Sequence, residues 1–239
     1  LGDSLTIAAP TGTIYYTLDG SDPRLVGGGI SPGAMVYSGA LTLNDGEFVK
    51  SRVHSGGAWS ALNEATFAVG PVAESLRISE VMYHPLDAGS PDDPNTEFVE
   101  LTNVGAETIN LNLVTFTNGI DFVFPSTELA AGDYLLVVRD IAAFEAKYGP
   151  GLPIAGQYGG SFDNGGERIE LQDATGQTIH KFDYRDNWYD LTDGQGFSLT
   201  VKDPAALSEP NALDDKSTWR PSVEIEGSPG FGDAGDATD

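Results

Sequence analysis

The chain has 239 residues, 40% of them hydrophobic, with 30 glycines, 14 prolines, no cysteine and a formal net charge of −24. The lack of cysteine excludes disulfides, thiolate metal sites and a cysteine nucleophile, and the acidic balance disfavours nucleic acid and anionic membranes, both of which require dense Lys and Arg. The length suits one or two domains, and Gly and Pro spread among runs rich in Tyr, Phe, Val, Ile and Thr point to an all-β protein.

No apolar run approaches the length of a membrane-spanning helix, about 18 residues, and no signal peptide is visible. The chain opens at LGDSLTIAAP, already strand-like and without an initiator Met, so it is expected to be a piece of a longer protein. Its charge is uneven. Residues 1–70 hold Arg24, Lys50 and Arg52 against Asp3, Asp19, Asp22, Asp45, Glu47 and Glu64, a net of −3, which leaves −21 for the remainder. A surface this acidic suits solubility in salt or contact with divalent cations.

In chain order, short strands are expected at residues 5–8, 13–18, 35–37, 41–43, 48–54 and 64–69. Asp19-Gly20 and Asn44-Asp45-Gly46 favour tight reversals between them. Strands at this spacing predict a sandwich over residues 1–70. Residues 71–75 read as a linker, because Pro71 breaks strand pairing and the charge balance shifts there. The second domain, 76–230, repeats the pattern with strands at 76–83, 97–103, 109–111, 115–117, 122–124, 134–138, 168–172, 179–184 and 197–201. In EFVELTN, Glu97, Val99 and Leu101 share one strand face and Phe98 and Glu100 the other. Asn164-Gly165-Gly166 and Asp173-Ala174-Thr175-Gly176 predict turns. One segment is helical: Asp140 caps IAAFEAKY, and Gly149-Pro150 ends it. Ile141, Phe144 and Tyr148 fall on one face, so the helix is expected across an open end of the sandwich. Residues 231–239 form a small-residue acidic tail, read as disordered or a linker.

Two families are identifiable in these residues. IYYTLDGSDPR, from Ile14 to Arg24, then MVYSGALTL and FVKSRVHSGGAWSA resemble the chitobiase/β-hexosaminidase C-terminal domain. The resemblance covers residues 1–70 and implies an immunoglobulin-like module without catalytic residues, appended to secreted bacterial enzymes and surface proteins. LRISEVMYHP, EFVELTNVGAETINL, the step at Phe124-Pro125, LAAGDYLLVV, NGGERIELQDATGQTIHKFDY and DGQGFSL resemble the lamin tail domain in its bacterial form, over residues 76–230. That implies a second immunoglobulin-like β-sandwich, with the helix in an insertion at residues 140–161, in exported multidomain proteins.

Several residue groups could carry chemistry. Glu80, Glu97 and Glu100 would form a carboxylate cluster if their strands pair, able to do acid–base work or hold a cation; otherwise they line a strand edge, facing solvent or Arg partners. Asp87, Asp92, Asp93, Asn95 and Glu97 share one loop, a possible Ca2+ site or a solvated acidic loop. Asp163-Asn164 and residues 186–193 raise the same question. His54, His84 and His180 are scattered, with no metal-ligand spacing among them, and read as structural. Gly27-Gly28-Gly29 lacks the Lys and Ser/Thr of a phosphate-binding loop. Trp59, Tyr158, Trp188 and Tyr189 lie beside polar loops as sugar-stacking platforms or core lids, with Asn187-Trp188-Tyr189 the best platform.

The expected architecture is therefore two tandem immunoglobulin-like β-sandwiches, the second with a short helical insertion. The expected function is a non-catalytic structural or interaction module pair of a larger bacterial exported or cell-surface protein, with no catalytic, cofactor-binding or metal residues assigned. Its expected partners are other domains of the parent protein, and proteins or polysaccharides at the cell surface, with no nucleic acid and no membrane insertion. The alternatives are a carbohydrate-binding module pair attached to a secreted enzyme, and a hydrolase fragment in which His, Asp or Glu converge in a deep pocket.

Overall fold

A computed structural model describes residues 2–86 and 95–233, and the chain divides into two compact units, Leu1–Gly70 and Pro71–Asp239. The first is built from seven short strands: β1 (Asp3–Leu5), β2 (Thr13–Thr17), β3 (Met35–Val36), β4 (Leu41–Leu43), β5 (Glu47–Ser55), β6 (Ala58–Trp59) and β7 (Asn63–Phe67). β1 pairs with β4, while β2 and β7 flank the long β5. The first strand begins earlier than its apolar residues suggest, and β6 was not anticipated.

The Asp-Gly-Ser-Asp-Pro turn behaves as its residues dictate. Gly20 takes φ +74°, and a Cβ there would sit 2.5 Å from the Phe48 ring. Asp19 accepts the Ser21 N–H and hydroxyl at 3.0 and 2.7 Å, and Asp22 accepts the Arg24 N–H at 2.9 Å. These are local side-chain-to-backbone bonds of the kind that favour turns. The sequence does not announce the anchor. Arg52 on β5 grips the Asp22 carboxylate with two bonds of 2.8 Å, and its hydrogen bond holds the Asp22 pKa down at about 2.

The second unit contains α1 (Val72–Ser75), β8 (Leu76–Met82), β9 (Phe98–Asn103), β10 (Ile109–Asn110), β11 (Thr115–Asn118), β12 (Phe122–Val123), β13 (Glu128–Leu129), β14 (Tyr134–Val138), α2 (Ile141–Tyr148), β15 (Ile154–Gln157), β16 (Arg168–Gln172), β17 (Thr178–Asp183), β18 (Leu199–Val201) and β19 (Trp219–Pro221). One sheet has six strands in the order β15-β14-β9-β8-β18-β19, and another has four in the order β12-β11-β16-β17. Ile78, Val81, Val99, Leu101 and Val137 of the larger sheet share one core with Phe116, Ile169, Leu171 and Phe182 of the smaller. Alternation along each strand sends these side chains inward.

Three expectations change. Residues 71–75 are not a free linker: Val72–Ser75 form α1 after Pro71, and Val72 is buried in the core of the second unit. Of the acidic tail, Asp233 is docked, paired to Arg220 at 2.9 Å, while residues 234–239 lie outside the described residues. The helix forms as read, with Asp140 accepting the Ala143 N–H at 2.8 Å and Gly149 at φ +86° closing it. It does not cross an open end. It lies on the outer face of the larger sheet, where Phe144 packs with Met82, Phe98, Leu136 and Val138, and Ile141 is left exposed. The reason is β15, which joins β14 in parallel. A parallel connection needs a crossover that covers a sheet face.

Phe144 is the fully buried anchor of the helix in this second, smaller core, with Tyr148 packed beside it against Phe98. Phe144→Ala is expected to cost about 3–5 kcal/mol of unfolding free energy, measured by urea denaturation followed through near-UV circular dichroism.

Candidate functional site: buried carboxyl groups of the larger sheet

β8 and β9 do pair, and Glu80 lies directly opposite Glu100. The register shifts between Ile78 and Glu80. Ile78 and Val81 both face the main core, whereas Ser79 bonds to Glu100 and Glu80 bonds to Ser198. Two consecutive residues on the outer face are the result of a β-bulge. Without it, Glu80 would point into the apolar interior.

Both carboxyl groups are fully buried, at 0% and 1% exposure. Glu80 accepts the Ser198 hydroxyl at 2.5 Å, the Ser228 hydroxyl at 2.7 Å and the Ser228 N–H at 3.0 Å. Glu100 accepts the Ser79 hydroxyl at 2.7 Å and the Gly230 N–H at 2.6 Å. Burial pushes the Glu100 pKa up to about 9, and the neighbouring Glu80 charge adds to the rise. Burial raises Glu80 as well, against the pull of its serine donors. Two like charges facing each other in a low-dielectric setting disfavour double ionisation, which favours a proton held on the pair near neutral pH.

Glu97 is not part of this pair. It lies beyond the start of β9, where the Arg139 guanidinium pairs with one oxygen while Tyr158 Oη and the Phe162 N–H donate to the other at 2.8 and 2.9 Å. The possible three-carboxylate cluster is thus split, and of the alternative, acids facing solvent or Arg partners, only the Arg partner of Glu97 is found, since all three acids are buried. Burial raises the Glu97 pKa, and the three donors pull it back. The same contacts remove Glu97 from the proposed calcium loop, because both of its oxygens are engaged internally. Asp87, Asp92 and Asp93 of that loop lie outside the described residues. Among the described residues no group of three or more His, Asp or Glu is placed to hold a metal ion.

Of the two readings of the aromatics, sugar platform or core lid, the structure supports the lid. Trp188 is 9% exposed and lies in the main core, its ring 6.4 Å from Trp219. Tyr158 is buried against Phe162 and Glu97. Tyr189 donates to the Trp219 carbonyl at 2.8 Å. Trp59 is half-buried, stacked 4.7 Å from His54, with its Nε1–H on the Gly28 carbonyl at 2.7 Å. The asparagine and tryptophan of Asn187-Trp188-Tyr189 sit in a turn whose tryptophan points inward, so it serves as a lid on the core.

The histidines remain apart. His84 meets Asp193 at 2.6 Å. His180 is buried, and burial, then the Arg77 charge, depresses its pKa to about 3, so it is neutral. Neither ring nitrogen has a hydrogen-bond partner among the described residues. The cleft beside it, about 410 Å3, is lined by Arg77, Gln177 and Leu207 among others. Three of the four Arg77 hydrogen bonds cap the carbonyls of Ala73, Glu74 and Leu76. That accounts for its presence without a ligand.

Sequence reasoning missed Ser198, Ser228 and Gly230. Ser198 lay within an expected strand with no sign of a partner, and the only signal for Ser228 and Gly230 was the turn-rich Gly227-Ser228-Pro229-Gly230, which reads as an ordinary loop.

The topology and the site together define a pair of immunoglobulin-like β-domains whose buried acids are held by their own chain. Residues 71–186 match the Lamin Tail Domain family, and residues 4–66 match the family described as Fn3 associated. The second unit is a lamin tail domain, and an Fn3-associated domain of the chitobiase C-terminal-like kind precedes it. A search of curated proteins gives no match, and a search of solved structures gives none. The Lamin Tail Domain match ends at residue 186, although β18, β19 and the segment over Glu80 and Glu100 complete the larger sheet beyond it.

Two substitutions check this account by urea denaturation. Arg139→Gln leaves Glu97 buried without its cation and is expected to cost about 3 kcal/mol at pH 8. The loss should shrink toward pH 5, because a carboxyl whose folded pKa is raised destabilises the fold only once pH rises above its unfolded value. His180→Leu removes two unsatisfied nitrogens, and stability is expected to stay within about 1 kcal/mol of wild type or to rise.

Proposed function

We propose that the chain is a non-catalytic structural and interaction module pair of a larger bacterial exported or cell-surface protein. The observation that carries this reading is the fate of its chemically promising acids. Glu80, Glu97 and Glu100 are all buried and all bonded to their own chain. A general acid or a cation ligand must present an oxygen to a substrate or ion. These three present theirs to serine hydroxyls, backbone N–H groups, Tyr158 and Arg139. Both matched families are immunoglobulin-like, a class that is typically non-catalytic, and function resides in grafted sites rather than in the fold. The partners we propose are neighbouring domains of the parent protein, and proteins or polysaccharides at the cell surface. The uneven charge fits a spacer that stays soluble and avoids anionic polymers.

A glycan array probed with wild type, Trp188→Ala and Trp59→Ala tests the choice between spacer and carbohydrate-binding module. The expected outcome is no specific signal for any of the three proteins. Specific binding by wild type that either substitution abolishes would replace the spacer reading with the carbohydrate-binding one.

A further inference from the structure

Residues 226–233 cross the outer face of the larger sheet directly over Glu80 and Glu100. The path is tightly fitted. Glu226 and Gly227 adopt φ +79° and +76°, and a Cβ on Gly227 would collide with Glu80 Oε1. Ser228 and Gly230 then bond to the two carboxyl groups. Further along, Asp233 accepts from Arg220 and from the Val223 N–H, each at 2.9 Å. On the other side the Tyr148 hydroxyl donates to the Glu226 carbonyl at 2.9 Å, and Lys147 pairs with the Glu226 carboxylate.

We propose that residues 226–233 form a proton-gated strap: the Glu80–Glu100 pair holds it on the sheet while the pair retains a proton, and loss of that proton releases it.

The reasoning starts from the surroundings of the pair. The strap contributes Glu226 and Asp233, α2 contributes Lys147 and Tyr148, β14 contributes Tyr134 and β19 contributes Arg220. Of the two cations, Lys147 is paired with Glu226 and Arg220 with Asp233. Neither is left to neutralise a second negative charge on the pair. Ser79, Ser198, Ser228 and the Gly230 N–H can solvate one carboxylate, but they carry no charge. A doubly ionised pair must therefore admit water. β8 and β9 are locked by their ladder and by flanking strands on both sides. The strap sits over the pair on a few side-chain and backbone bonds, so it is the element that yields. With Glu100 raised to about 9 by burial, the closed strap is most stable below the ordinary carboxylate range. Its stability falls as pH rises toward that value, because opening returns each carboxyl to an ordinary pKa and releases protons.

Amide hydrogen exchange on the full chain from pH 5.5 to 9.5, corrected for intrinsic rates, tests the strap. The opening constants of the Ser228 and Gly230 amides are expected to rise by up to about tenfold per pH unit as pH climbs from 5.5, one proton being released on opening, and to level off once pH passes the raised Glu100 value. Val99 and Leu101, in the centre of the same sheet, should stay protected. The slope should fall in Glu100→Gln and vanish in the double variant Glu80→Gln/Glu100→Gln, while Gly227→Ala should open the strap even at pH 5.5. The proposal is overturned if Ser228 and Gly230 exchange only together with Val99 and Leu101, or if the double variant keeps the wild-type slope. It is also overturned if Gly227→Ala folds with its strap fully protected.

Discussion

Two carboxyl groups placed side by side on a sheet face and then sealed from water constrain much of the second domain. Removing an ionised carboxylate from water costs several kcal/mol even after relaxation. The chain meets that cost with a retained proton, three serine hydroxyls and two backbone N–H groups. The donors come from β8, from the approach to β18 and from residues 228–230, so the arrangement is complete only when the C-terminal segment is in place. The outer face of the sheet is divided accordingly. Met82, Phe98, Leu136 and Val138 lie under Phe144 of α2, and the polar part around Glu80 and Glu100 lies under the strap.

Other buried titratable groups in the same domain use different solutions. Glu97 keeps a cation, Arg139, and two further donors. His180 avoids charge altogether and remains neutral in the core. Such perturbed groups often mark active sites. Here each is explained by packing or by a partner within the fold, and the groups lie apart from one another instead of converging.

Much of this was legible from local pattern. EFVELTN alternates so that Val99 and Leu101 enter the core while Phe98 and Glu100 face outward, as two-residue periodicity requires. Asp140 and Gly149 bound a helix wherever it packs. The turns at Asp19-Gly20 and Asp173 follow from side chains that bond to backbone two residues on. What escaped was long-range. Glu80 meets Ser198 and Ser228 at sequence separations of 118 and 148, and no local signal marks such pairs. Local pattern left Trp188 open between a sugar platform and a core lid, because its sequence neighbours are polar; only the fold turns its ring toward Trp219.

The sequence by itself determined the class of the protein: alternating apolar strands, turn residues at fixed offsets and blocks in family order specify two β-sandwiches, because those signals act between neighbours along the chain. Only the tertiary structure decided what the acids do. Whether a carboxyl group is a solvated surface charge or a buried proton carrier depends on what lies above it. For Glu80 and Glu100 that cover is β18 and the strap, set by the register of strands distant in sequence and by a single bulge at Ser79.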